Sequence, residues 1–376
     1  MSFSSLPPEL VHQIIESAVP HIFHSETYKE RQETLCSLSL VSKLFRSIAQ
    51  PLLFEIVKPT NFEDAENLPT ARVSGGDTRP RCEARCLIMD WRNDMYGNRT
   101  QAEQDRFSES LRVFESVRDL TVAYGERSIF AEVLSMTSDH LTYLQITNEW
   151  LEVPETTNLP NLRSLTLYQI ASRLFTSLLS PGIVPNLQNF ALVDSSQESA
   201  QWLKDSSVSS FLLRLGSIYM DSKVWIQLDN SFRQSVASRT LVNIGWGGFQ
   251  EALKSTPSIV HARLDGTSTN AEYFNQQEFC RKLDTYASFI ENTSSLSLKS
   301  FYLDSSFSDQ SNLPQSTQSS INNLSRICQE RKIDLVFDRI PVSYAIDPCI
   351  SKEFIRRQKI GKRNEAGADG VIPGQR

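Results

Sequence analysis

The chain lacks the features that would staple it, metallate it or embed it in a bilayer. Six cysteines, at positions 36, 82, 86, 280, 328 and 349, are spread over 376 residues without paired spacing, which argues against a disulfide framework and fits reduced thiols. Cys82-x3-Cys86 has no second Cys or His pair nearby at structural-zinc spacing, so no metal site is expected. The five histidines form no HExxH pattern, and no Walker A loop, GxGxxG fingerprint or GxSxG elbow occurs. The glycine-rich run Gly245-Trp246-Gly247-Gly248 reads as a turn. No catalytic residue and no cofactor are therefore expected. Every apolar run is broken by Ser, Arg, Asp or Pro before the roughly 18 residues of a membrane span. The opening MSFSSLPPELVHQIIESAVP has neither a basic segment nor an uninterrupted apolar one, so no secretory leader and a cytoplasmic or nuclear setting are expected. The charge excess is acidic, 44 against 38 for a formal net charge of -6, which speaks against a nucleic-acid or anionic-membrane partner.

What is present is an ordinary globular composition, 40% hydrophobic and 22% charged, long enough for two or three cores. Pro7 and Pro8 suit the first turn of a helix, and Glu9 complements its positive end. Leu10, Val11, Ile14, Ile15 and Ala18 then fall on one face about 140° wide, and Pro20 ends the pattern. A polar stretch from His21 to Glu33 precedes a second helical stripe of Leu35, Leu38, Val41, Leu44, Phe45 and Ile48, closed by Pro51. Leu52-Leu53-Phe54 follows as a short apolar hook. A unit this small lies near the lower limit of independent folding, so part of its aliphatic surface needs a partner.

The segments L-P-P-E-L-x3-I-I at 6–15, S-L-V-S-K-L-F-R at 39–46 and A-Q-P-L-L-F at 49–54 resemble the F-box, in the form found in fungal proteins. That resemblance implies a helical unit that docks on a Skp-type adaptor and through it on a cullin. It assigns the contact to Leu6, Pro7, Leu10, Ile14, Val41 and Phe45. The alternative reading of the same residues is a helical cap on the domain that follows.

Residues 58–82, with Pro59, Pro69, Gly75-Gly76 and Pro80, read as a linker. Beyond it apolar residues return at x, x+3 and x+5: Val117-Leu120-Val122, Leu141-Leu144-Ile146, Leu162-Leu165-Leu167 and Leu187-Phe190-Leu192. The middle residues are 24, 21 and 25 apart, within the roughly 20 to 29 of leucine-rich repeats. Later copies, Leu215-Ile218-Met220, Leu241-Ile244-Trp246, Ile259-Ala262-Leu264 and Leu298-Phe301-Leu303, drift to spacings of 28, 26, 18 and 39, and Ile333 to Phe337 reads as a closing strand. Residues 304–320, rich in Ser, Gln and Asp, read as an exposed loop. The tail from Ser351 holds seven Lys or Arg against three acids and reads as disordered.

The expected fold class is α/β: a short helical F-box-like domain at 1–57, a linker at 58–82, an irregular leucine-rich-repeat-like solenoid at 83–340 and a basic tail at 341–376. Alternation along each strand places x+4 and x+6 opposite the core. Those positions nominate Tyr168, Tyr219, Asp221, Arg263, Asp265 and Tyr302 as a target-binding face, since Tyr and Arg are the residues that recognition surfaces favour. The expected function is the substrate-recognition subunit of an SCF-type, cullin-based ubiquitin ligase, with a protein target and no catalytic residues of its own. The alternative is a repeat-domain interaction scaffold unconnected with ubiquitination.

Overall fold

Proline and serine punctuate the amino-terminal helices. The computed structural model describes residues 7–19, 25–59, 84–90, 102, 117–124, 127–147, 153, 157–168, 178–193, 199–244, 249–264, 276–304, 307–308 and 313–338. Helix α1 (Pro8–Ala18) has Pro7 at its N-cap and Glu9 in its first turn. Where the sequence predicts one helix across Leu35 to Ile48, the structure has two, α2 (Ser25–Val41) and α3 (Lys43–Glu55). Ser42 lies between them in extended backbone, and its Oγ accepts from the Phe45 N–H at 3.2 Å, so it caps the second helix instead of continuing the first. The polar run expected up to Glu33 is helical from Ser25, with Lys29 and Glu33 paired one turn apart, and Pro51 lies inside α3. Val11, Ile15 and Val19 of the first segment, Leu35 of α2, and Phe45 and Ala49 of α3 form this unit's own core.

The rest is one sheet of eleven strands among the described residues, every pairing parallel and the spatial order identical to the chain order. Strand β1 (Ile56–Val57) leaves α3 directly and pairs with β2 (Cys86–Asp90), so the sheet starts ahead of the stretch read as a linker; residues 60–83 lie outside the described residues. Then come β3 (Asp119–Tyr124), β4 (Tyr143–Ile146), β5 (Ser164–Tyr168), β6 (Asn189–Val193), β7 (Ser217–Asp221), β8 (Thr240–Ile244), β9 (His261–Leu264), β10 (Ser300–Asp304) and β11 (Asp334–Asp338). β1 and β11 do not pair with each other, so the sheet is open and not a barrel.

One face is a continuous apolar ladder. Met89, Val122, Ile146, Leu167, Leu192, Met220, Val242, Ala262, Phe301 and Leu335 are successive register partners across ten strands. The crossover helices pack there. Phe130, Val133 and Leu134 of α4 (Arg127–Thr137), and Trp202 and Leu203 of α5 (Ser199–Leu203), join the same core as the strands. So do Val208, Phe211 and Leu212 of α6 (Ser206–Leu212) and, after α7 (Ser222–Trp225), α8 (Asn230–Val236) and α9 (Phe249–Ser255), Phe279 and Leu283 of α10 (Gln276–Asn292) and Ile321 and Leu324 of α11 (Gln315–Glu330).

The predicted core positions Leu120, Leu144, Leu165, Phe190 and Ile218 are register partners, as the spacing requires. The copy at Leu241 is displaced. Because β8 opens at Thr240, Val242 enters the ladder and Leu241 faces the other way, beside Ala191 and Tyr219; Trp246 lies outside the described residues. The long interval from Ala262 to Phe301 is filled by the 17-residue α10. The expected loop at 304–320 is helical from Gln315. Its buried Thr317 meets Cys280 of α10 with Oγ1 3.6 Å from Sγ, so small polar residues serve a close helix contact and not a solvated loop.

One backbone device recurs at the strand entries. A carbonyl accepts from two successive N–H groups of the next unit: Arg85 from Arg118 and Asp119, Arg118 from Thr142 and Tyr143, Thr142 from Arg163 and Ser164, Arg163 from Gln188 and Asn189, Gln188 from Gly216 and Ser217. The asparagines of LPNL and VPNL add a side-chain version. Asn161 Nδ2 donates to the Asp139 carbonyl at 2.7 Å and Asn186 Nδ2 to the Pro160 carbonyl at 2.8 Å. No helix among the described residues is long and apolar enough to cross a membrane.

Candidate functional site

Two surfaces carry the residues that the sequence singles out. On α1 the apolar stripe has two edges about 100° apart. Val11 and Ile15 occupy the inner edge and are fully buried, whereas Leu10 and Ile14 occupy the outer one at 45% and 42% exposure. At the end of α2, Leu40 and Val41 stand out at 79% and 59%. With Leu213 these are the exposed large apolar side chains among the described residues, so four of the five belong to a unit of about fifty residues. Pro7 is exposed beside them in sequence, and Leu6 lies outside the described residues. Phe45 departs from its assignment to the contact: at 5% exposure it fills the helical core, because the cap at Ser42 starts α3 with Phe45 on its inner side. Sequence reasoning missed Leu40, whose one signal is a leucine standing off the stripe of its helix.

The helical unit also touches the sheet. Tyr28 of α2 packs on Ile56, Cys86 and Ile88, and its hydroxyl accepts from the Lys58 N–H at 3.2 Å. Burial holds the phenol proton above its ordinary range, against the opposing pull of that N–H. Nearby, Glu55 faces Arg31 and Arg85, each at 3.7 Å, and Arg85 faces Asp119 at 3.8 Å. Carboxylates and guanidiniums thus alternate from α2 and α3 into β3.

The second face of the sheet, opposite the apolar ladder, carries the other nominated residues. Alternation places Tyr168, Tyr219, Asp221, Arg263 and Tyr302 there; Asp265 lies outside the described residues. Arg263 and Tyr302 are register partners, and so are His261 and Ser300 one step back on the same face. Tyr168 and Tyr219 stand apart from that group on β5 and β7. Most of these side chains are not open to solvent. Tyr168, Tyr219, Asp221 and Arg263 are buried, and Tyr302 is half-buried. Flanking strands about 4.8 Å away on either side contribute to that shielding.

Burial on this face leaves polar groups with unmet demand. Tyr143 donates to Gln145 Oε1 at 2.9 Å, yet Gln145 Nε2 and the neighbouring Thr121 Oγ1 have no partner, and neither has Arg263 Nη1. His261 Nδ1 lies 2.5 Å from Ser300 Oγ. No group of three His, Cys, Asp or Glu that would hold a metal ion occurs among the described residues. No protein-family model matches this chain, and no curated protein matches it.

Proposed function

We propose that this chain is the substrate-recognition subunit of a cullin-based ubiquitin ligase acting in the cytoplasm or nucleus. Its amino-terminal helices serve as an F-box that docks on a Skp-type adaptor, and its sheet, read as an irregular leucine-rich-repeat-like solenoid, presents a protein target. The observation that carries the reading is the pair Leu10 and Ile14. They belong to the L-P-P-E-L-x3-I-I segment and form an apolar edge that the chain itself leaves uncovered. The chain-ordered parallel strands and the repeated carbonyl device support the solenoid half, since each unit then buries its apolar face against its neighbours. The chain's contribution is proximity: holding a target's lysine near an activated thioester raises its effective concentration, with no bond made or broken by this subunit.

Capture by a purified Skp-type adaptor tests this. Leu10→Asp and Ile14→Asp are expected to abolish capture while shifting stability by no more than about 0.5 kcal/mol, because both side chains are already exposed. Full capture by both variants would remove the assignment. A second reading, a helical cap on a repeat scaffold unconnected with ubiquitination, is favoured by the packing of Tyr28 on the first two strands and the Glu55–Arg85 pairing. It requires that the wild-type chain capture no adaptor at all.

A further inference from the structure

A buried guanidinium without a counter-ion is costly, because the interior repays the lost hydration only through close anionic or hydrogen-bonding partners. Arg263 is in that position. Its side chain is 3% exposed, its Nη1 has no hydrogen-bond partner, and no carboxylate among the described residues forms an ion pair with it. Of the acids at register positions on this face, Asp304 is diagonal to it on the adjacent strand, Asp221 is in its row two strands to one side, and Asp334 and Asp338 are diagonal two strands to the other; no ion pair with Arg263 occurs among the described residues.

What surrounds Arg263 is rich in hydrogen-bonding groups. Tyr302 lies beside it in register, His261 stands two residues back, and Ser300 is paired with His261 across the β9–β10 ladder. His261 and Ser300 open their strands, and Arg263 and Tyr302 follow two residues on, so the cluster runs along one face of the β9–β10 pair. A planar fork of donors fits the oxygens of a carboxylate or phosphate, and the geometry is strongest where water is excluded.

We propose that Arg263, with Tyr302 beside it, is the receptor for an oxyanion, either a free one or one borne on a polypeptide side chain. The inference concerns the sheet alone and does not depend on adaptor docking. An arginine kept for a ligand has a distinctive signature: the free chain loses nothing when the charge is replaced by an apolar side chain of similar length, while ligand-induced stabilisation vanishes.

Thermal melting of the full chain tests this with inorganic phosphate as the free oxyanion and a hexaglutamate peptide as the polypeptide-borne one, against sodium chloride of equal ionic strength. The expected result is a concentration-dependent rise of about 1–2 °C in wild type with at least one probe. That rise should be absent in Arg263→Met, whose unliganded melting point is unchanged or higher, and reduced in Arg263→Lys, which keeps the charge but not the fork. A response to phosphate alone assigns a free anion, and a response to hexaglutamate alone or at far lower concentration assigns an anionic segment. No response to either probe, an equal response in Arg263→Met, a full response in Arg263→Lys, or an unliganded Arg263→Met that melts several degrees lower or does not fold would overturn the proposal.

Discussion

The helical unit and the sheet solve the same burial problem with different success. The sheet runs one apolar core from Val57 to Ile333, and Leu213 is its one large apolar side chain in the exposed class among the described residues. The helical unit closes a small core around Phe45 and leaves Leu10, Ile14, Leu40 and Val41 in contact with water. The difference follows from size. Three helices have too few facing positions to cover a stripe 140° wide, whereas each internal strand of the sheet has a neighbour on both sides and the described crossover helices add to the same core. Exposure in the helical unit is thus a property of its geometry, and it lies where a second polypeptide has access.

Truncating the larger core should have the largest effect. Phe301 is fully buried between Ala262 and Leu335 in the ladder, and Phe301→Ala is expected to cost about 3–5 kcal/mol in denaturant unfolding. A loss below about 1 kcal/mol would mean that the sheet's core is no better packed than the helical one.

Alkali offers a gentler probe of the same region. Burial pushes the Tyr286 hydroxyl on α10 up to about 12 and the Cys328 thiol on α11 up to about 12, from ordinary values of 10.0 and 9.0. Both groups are neutral when protonated, and the fold holds the proton more tightly than the unfolded chain does. Their contribution is therefore complete below pH 9, begins to fall for Cys328 above 9 and for Tyr286 above 10, and is gone once pH passes about 12. Circular-dichroism melts between pH 8 and 12 should show stability declining over that window, and Tyr286→Phe should flatten the part above pH 10. A wild-type melting point constant to pH 12 would contradict the burial of both groups.

Within the helical unit the expected effect is smaller. Ser42→Ala removes the cap on the Phe45 N–H and is expected to cost about 1 kcal/mol, read as a lower melting point of the amino-terminal helices. A neutral result would restore the single continuous helix that periodicity alone suggests.

Periodicity carried most of the sheet but little of its surface. Leu120, Leu144, Leu165 and Phe190 are recognisable because apolar residues two apart on a strand face one way, and four such units recur at nearly constant spacing. The same rule misplaced Leu241, since an apolar residue on the second face imitates a core residue one position out of phase. Ser42 was hidden because a serine between two apolar stripes interrupts neither; only its hydrogen bond marks the break. β1 has two residues, too few to leave a pattern. At the candidate sites, the helical stripe that holds Leu10 and Ile14 was legible from periodicity, whereas the inward turn of Phe45 and the unmet demand of Arg263 depend on contacts between segments far apart in the chain.

Strands laid down in chain order also bear on how the molecule assembles. Each new strand needs only the one made just before it, so loop closure stays short and docking proceeds in step with synthesis from the amino end. A chain cut between two strands keeps every pairing already formed. Shortening from the carboxyl side should therefore strip layers one at a time and expose a fresh edge at each step, without dismantling the layers beneath.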